Sequence, residues 1–146
     1  MQMGMNVGKN VGKKSLGVML LLVTTCVVGC SQQSRIDSWI KQIVATGNKE
    51  KAAIKAQGWK DCKIYRDGEK NGVVYEYIGA PAQDAQLKMT DENLLKTEVK
   101  QLLQKNLTSN PQTKRAIKGG VYLRFLYKTS TGETTADLTF TGDDFK

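Results

Sequence analysis

The sequence predicts an α+β fold: an antiparallel sheet of about four strands, built from two hairpins, with helices packed on one face and a signal peptide ahead of it. Three observations carry this. Residues 73–78, VVYEYI, are dense in β-branched and aromatic side chains and read as a strand. Val121, Leu123, Phe125 and Tyr127 alternate with Tyr122, Arg124, Leu126 and Lys128; after a turn at Gly132, Ala136, Leu138 and Phe140 alternate with polar neighbours. That is a hairpin pattern. Leu94, Leu95, Val99, Leu102, Leu103 and Leu107 fall on one helical stripe. The order helix, helix, hairpin, helices, hairpin is that of a two-layer domain.

The chain starts with Lys9, Lys13 and Lys14 ahead of an apolar run over 16–28. A basic start, a short apolar middle and a small residue at the cut mark a secretory signal peptide. The run is shorter than the roughly 20 residues a membrane-spanning helix needs. It closes on Val27-Val28-Gly29-Cys30, which resembles the lipobox of bacterial lipoproteins. The resemblance implies cleavage between Gly29 and Cys30, diacylglyceryl attachment to the Cys30 thiol and acylation of the new amino terminus. Cys26 has no small residue just before it and is not the anchor. Several acyl chains on one residue hold a protein far more firmly than one. The expected divisions are a signal peptide at 1–29, a short tether at 30–35 and a single domain at 36–146. Ser31 and the short tether favour the periplasmic face of an outer membrane, with the outer leaflet of the cytoplasmic membrane as the alternative.

Within the domain, Ile36, Trp39, Ile40, Ile43 and Val44 recur at helical spacing, with Ser34 as the cap and Gly47 as the stop. Trp39 is expected to pack with its isoleucine neighbours against the sheet. Asn48 caps a second helix over 49–57, closed by Gly58. A strand over 61–66 places Cys62 and Ile64 on one side, and Asp67-Gly68 and Asn71-Gly72 supply turn signals. Thr90-Asp91-Glu92 caps the leucine-striped helix, and Pro111 opens a further short helix that ends at Gly119-Gly120. The acidic end at 142–144 is expected to fray.

The chemistry of the composition is sparing. The 146 residues contain no histidine, so the commonest general base and metal ligand is missing. Once Cys30 is acylated, Cys62 is the only thiol of the mature chain, and it reads as a small buried strand residue. These facts predict no catalytic residue, no metal, no cofactor and no enzymatic activity. The net charge of +8 is eased by loss of the three leader lysines. It suits anionic envelope material, whereas nucleic-acid binding lacks a basic cluster with interleaved aromatics. Nothing in the spacing of Asp61, Asp67, Glu69, Glu76 and Asp137 sets up a glycosidase pair. The candidate ligand or partner surface is Tyr75, Tyr77, Tyr122 and Arg124, on whichever sheet face is open.

The second hairpin, with Gly120, Val121, Arg124, Tyr127 and the turn Gly132, resembles small bacterial lipoprotein domains, as does residues 74–77 before a capped helix. That resemblance implies no catalytic residue. The expectation is a lipid-anchored, non-enzymatic envelope protein, held by membrane lipid through acylated Cys30, that binds or helps assemble another envelope component. The alternatives are a glycan or small-ligand module using the tyrosines, and an inhibitor or accessory lipoprotein.

Overall fold

The computed structural model describes residues 32–146. The signal peptide, Cys30 and the cleavage site lie outside the described residues. Helix α1 (Gln32–Lys49) and the short α2 (Lys51–Ala56) precede strands β1 (Asp61–Arg66) and β2 (Gly72–Ile78). A 3-10 turn (Pro81–Gln83) leads into α3 (Asp84–Met89), α4 (Glu92–Ser109) and α5 (Pro111–Lys118). Strands β3 (Tyr122–Lys128) and β4 (Thr134–Phe140) follow, and a last 3-10 turn covers Gly142–Phe145.

The α+β class and the two hairpins stand, but the all-antiparallel expectation does not. The sheet order is β1-β2-β3-β4, with antiparallel outer pairs and a parallel central pair, Gly72 opposite Tyr122 through Ile78 opposite Lys128. The cause lies in the connection. A parallel neighbour needs a crossover of a dozen residues or more, and the three helices between β2 and β3 provide one. The burial of the strands agrees. β2 is buried at every position but Ile78, as a central strand should be, whereas β4 alternates like an edge.

One face of the sheet carries Cys62 and Ile64, Val73, Tyr75 and Tyr77, Leu123, Phe125 and Tyr127, and Ala136, Leu138 and Phe140. Ile36, Trp39, Ile40 and Ile43 of α1, Ile54 of α2, Val99, Leu103 and Leu107 of α4 and Ile117 of α5 cover it. Aromatic rings run across this core. Tyr75 stacks on Phe125 at 4.9 Å between centroids, Tyr77 stacks on Tyr127 at 5.3 Å, and Phe140 meets Phe125 edge-on at 5.9 Å. Trp39 is buried in it, as its spacing implied.

Several local expectations change. The first helix already includes Gln32, so residues 32–35 are helical rather than tether. It also runs through Gly47 instead of stopping there. A Cβ on Gly47 would lie 2.3 Å from Ile64 Cδ1, so this glycine lets α1 approach β1. Asn48 does not cap α2. Its side-chain amide donates to the Ile64 carbonyl at 3.4 Å, and Glu50 occupies the cap position. Gly58 does close α2, with φ +104°. Asp91 caps α4 by accepting from the Leu94 amide at 2.9 Å, and Asn110 caps α5 by accepting from Thr113. Leu94 of the leucine stripe is exposed, whereas its neighbour Leu95 packs against the core. The carboxyl-terminal end is ordered into a turn. Thr141 accepts from the Asp143 amide, Asp144 accepts from the Thr141 amide, and Phe145 packs against Phe140. No helix among the described residues is long and apolar enough to cross a membrane.

Candidate functional site

Pleating sends alternate residues of each strand to the uncovered face. Two rows cross it. Tyr65, Val74, Arg124 and Thr139 form one, and Lys63, Glu76, Leu126 and Asp137 form the next. Same-face residues two apart on neighbouring strands are within reach of long side chains. Tyr65 with Glu76, Lys128 with Glu76 and Arg124 with Asp137 use that diagonal, whereas Lys63 faces Glu76 directly. The Tyr65 hydroxyl donates to Glu76 Oε2 at 2.9 Å. Lys128 Nζ reaches the same oxygen at 3.4 Å, and Lys63 stands 4.0 Å from Oε1. The Arg124 guanidinium donates twice to Asp137, from Nε at 2.9 Å and from Nη2 at 2.7 Å. Such a two-point pair fixes the plane of the guanidinium.

A third carboxylate arrives from the β1–β2 turn. Asp67 Oδ2 accepts from the Tyr122 hydroxyl at 2.7 Å and lies 3.7 Å from Arg124 Nη1. The Tyr122 ring lies across its register partner Gly72, where a Cβ would come within 2.2 Å of the ring. An aromatic covering a strand glycine is a known way to pin register. Beneath this polar roof Val74 is only 1 % exposed although none of the described helices covers it. Glu76, at 7 %, is a nearly buried carboxylate with a phenol and two ammonium groups around it.

The electrostatics hold the face as a set of fixed donors and acceptors. Loss of water and then the Glu76 carboxylate push the Tyr65 phenol up to about 12. Loss of water and then Asp67 push Tyr122 up to about 12 as well. Both phenols therefore keep their protons near neutral pH. The hydrogen bonds from Arg124 hold Asp137 below the usual carboxylate range, and Asp137 raises Arg124 in return.

Of the four residues expected on a partner surface, the structure brings Tyr122 and Arg124 together on the uncovered face. Tyr75 and Tyr77 are on the opposite, helix-covered face, each 1 % exposed, and are not surface residues. Both faces of β2 are apolar enough to be buried, so tyrosine content alone pointed to the wrong side. Tyr65, Glu76, Lys128, Asp67 and Asp137 complete the surface in their place. A signal for them existed: Glu76 shares the face of Val74 and Ile78, and a carboxylate marks the wetter side of a strand.

A second feature lies at the end of the molecule where the described residues begin. There α1 and α5 line a groove of about 320 Å³, with Arg35 and Arg115 at its sides and Ile36, Trp39 and Ala116 supplying apolar surface. Among the described residues no three histidine, cysteine or carboxylate side chains come together in a way that could hold a metal ion. Cys62 is a free, fully buried thiol, and burial pushes it up to about 12. The chain matches no protein family, no curated protein and no solved structure at a significant level.

Proposed function

We propose that this chain is a lipid-anchored protein of the cell envelope, without enzymatic activity, that docks another envelope component on the uncovered face of its sheet. The anchor is Cys30, read from the Val27-Val28-Gly29-Cys30 stretch. The observation that supports docking most strongly is the pre-paired polar surface of Tyr65, Glu76, Tyr122, Arg124 and Asp137. Side chains already held in place lose little freedom on binding, so a partner meets a pre-organised surface. Tyrosine and arginine are also the residues that dominate binding energy where two proteins meet. The same surface offers chemistry little to work with, since its phenols stay protonated and each of its three carboxylates is bound to a cation or a phenol.

The test is photo-crosslinking in intact cells from positions beside Arg124, with fractionation. The wild type is expected in the membrane fraction with a defined crosslinked band. Tyr122→Ala with Arg124→Ala should lose the band while keeping the fold and the membrane location. Cys30→Ser should release the protein from the membrane. A band unchanged in the double variant would remove this face as the docking surface.

A second reading, a glycan-binding module, is favoured by one observation: Tyr65, 37 % exposed, and the half-buried Tyr122 are fixed on the same face. Loss of retention on immobilised envelope glycan in Tyr65→Ala and Tyr122→Ala would select it over a protein partner.

A further inference from the structure

We propose that the groove between α1 and α5 seats the headgroup of an anionic phospholipid from the membrane that holds Cys30; the proposal rests on the lipid-anchor reading above. The groove is built by two matching helical stripes. Gln32, Arg35, Ile36 and Trp39 stand at positions i, i+3, i+4 and i+7 of α1, and α5 presents the same spacing from Gln112 through Arg115 and Ala116 to the residue that ends it, Gly119. Residues so spaced share one helix face, so the two helices turn complementary stripes towards one another.

The lining is amphiphilic and of one sign. Two guanidinium groups stand on it, one from each helix, and among the described residues no carboxylate lines it. Among the described residues Arg115 makes no ion pair, and Lys114 and Lys118 add exposed positive charge on the same helix. Guanidinium is the side chain best shaped to hold phosphate at two points. Between the arginines, Ile36, Ala116 and the Trp39 ring offer apolar contact to a glycerol backbone or the first methylenes of a chain. The Trp39 indole N–H is buried without a hydrogen-bond partner, a spare donor on a groove-lining residue.

Position selects the lipid as occupant. Cys30 precedes Gln32 by two residues, so the chain reaches at most about 7 Å between them. The first turn of α1 is tied to the far end of α5, because Gln32 Nε2 donates to the Gly119 carbonyl at 3.3 Å. A thiol carrying acyl chains therefore holds this mouth of the groove at the bilayer surface. There the headgroup concentration is set by the anchor rather than by solution.

The test uses the acylated protein purified from membranes and placed in nanodiscs, with its two indole N–H resonances followed by nuclear magnetic resonance. Trp59 is the internal reference, since it packs on Tyr77 and Tyr127 away from the groove. The Trp39 resonance is expected to move in phosphatidylglycerol discs and to stay in place in phosphatidylcholine discs, with Trp59 unmoved in both. Arg35→Gln with Arg115→Gln should abolish the movement. No movement with phosphatidylglycerol, or the same movement in the double variant, would overturn the proposal. So would a full response to inorganic phosphate alone, which would make the groove a site for a free anion. The mass of the peptide that begins at Cys30 is read separately. Acylation without movement removes the groove and leaves the anchor; movement with a bare thiol removes the anchor and leaves the groove.

Discussion

The two faces of the sheet are made by neighbouring residues of the same four strands, yet they treat the same side chain in opposite ways. On the covered face the Tyr75 hydroxyl is buried with no hydrogen-bond partner, and its ring earns its place by stacking on Phe125. On the uncovered face the Tyr65 and Tyr122 hydroxyls each donate to a carboxylate, and the Tyr122 ring lies over Gly72. One face is held by apolar contact that has no direction. The other is held by hydrogen bonds that aim every group. The covered face therefore sets stability, and the uncovered one is the face on which a partner is proposed to dock.

The sharpest way to separate them is by size of effect. Phe125→Ala, at the centre of the aromatic core, should cost about 3–5 kcal/mol in chemical denaturation, as large-to-small changes of buried aromatics do. Gly47→Ala should cost about 1–3 kcal/mol, because the new methyl group drives Ile64 out of place in a packed core. Adding Ile64→Val should recover part of that loss, since the two residues touch.

The tyrosines carry the comparison itself. Tyr65→Phe should destabilise by about 1 kcal/mol, leaving Glu76 without its phenol, whereas Tyr75→Phe should be neutral or stabilising because it removes a buried hydroxyl that has no partner. Equal losses at both sites would break the contrast.

Two pH effects follow with opposite signs. The Cys62 thiol ionises near 8.5 in an unfolded chain but only at about 12 when folded. Its contribution is complete below the unfolded value and is lost as pH rises towards the folded one. Cys62→Ala should flatten the decline of stability between about pH 8.5 and 10, before unfolded tyrosines begin to ionise. Asp137 works the other way. Its folded value is depressed by Arg124, so its contribution is present above about pH 3.9 and is lost as pH falls through the folded value. Arg124→Gln should remove that acid-side component, and the change should be small because the pair is part-exposed.

Much of the fold was legible because local chemistry decided it. Asp91, Asn110 with Pro111, and Gly58 mark helix ends by capping and by positive φ, and β4 shows its edge position through strict alternation. The order of the strands was not legible. Two hairpins separated by a helical crossover can dock through β3 or through β4, and β2 is central either way. Only the burial of β3 on both faces, against the alternation of β4, goes with the order found. The site was half legible. Tyr122 and Arg124 share a face by simple alternation. Which face of β2 lies under the helices depends on long-range packing against Ile36, Ile40 and Leu103, which leaves no periodic mark in β2 itself. Glu76 was the residue able to break the tie, since it sits opposite Tyr75 and Tyr77 on the pleat. Gly47 was misread for a related reason: a glycine that ends a helix and one that admits a neighbouring strand look alike until the neighbour is known.

The proposed lipid anchor would determine where both the proposed docking face and the groove are presented, and one measurement reaches it directly. Mass spectrometry of the protein extracted from membranes should find a chain beginning at Cys30, with a diacylglyceryl thioether on its sulfur. A chain that retains residues 1–29, or a mature chain with an unmodified Cys30, would contradict the account.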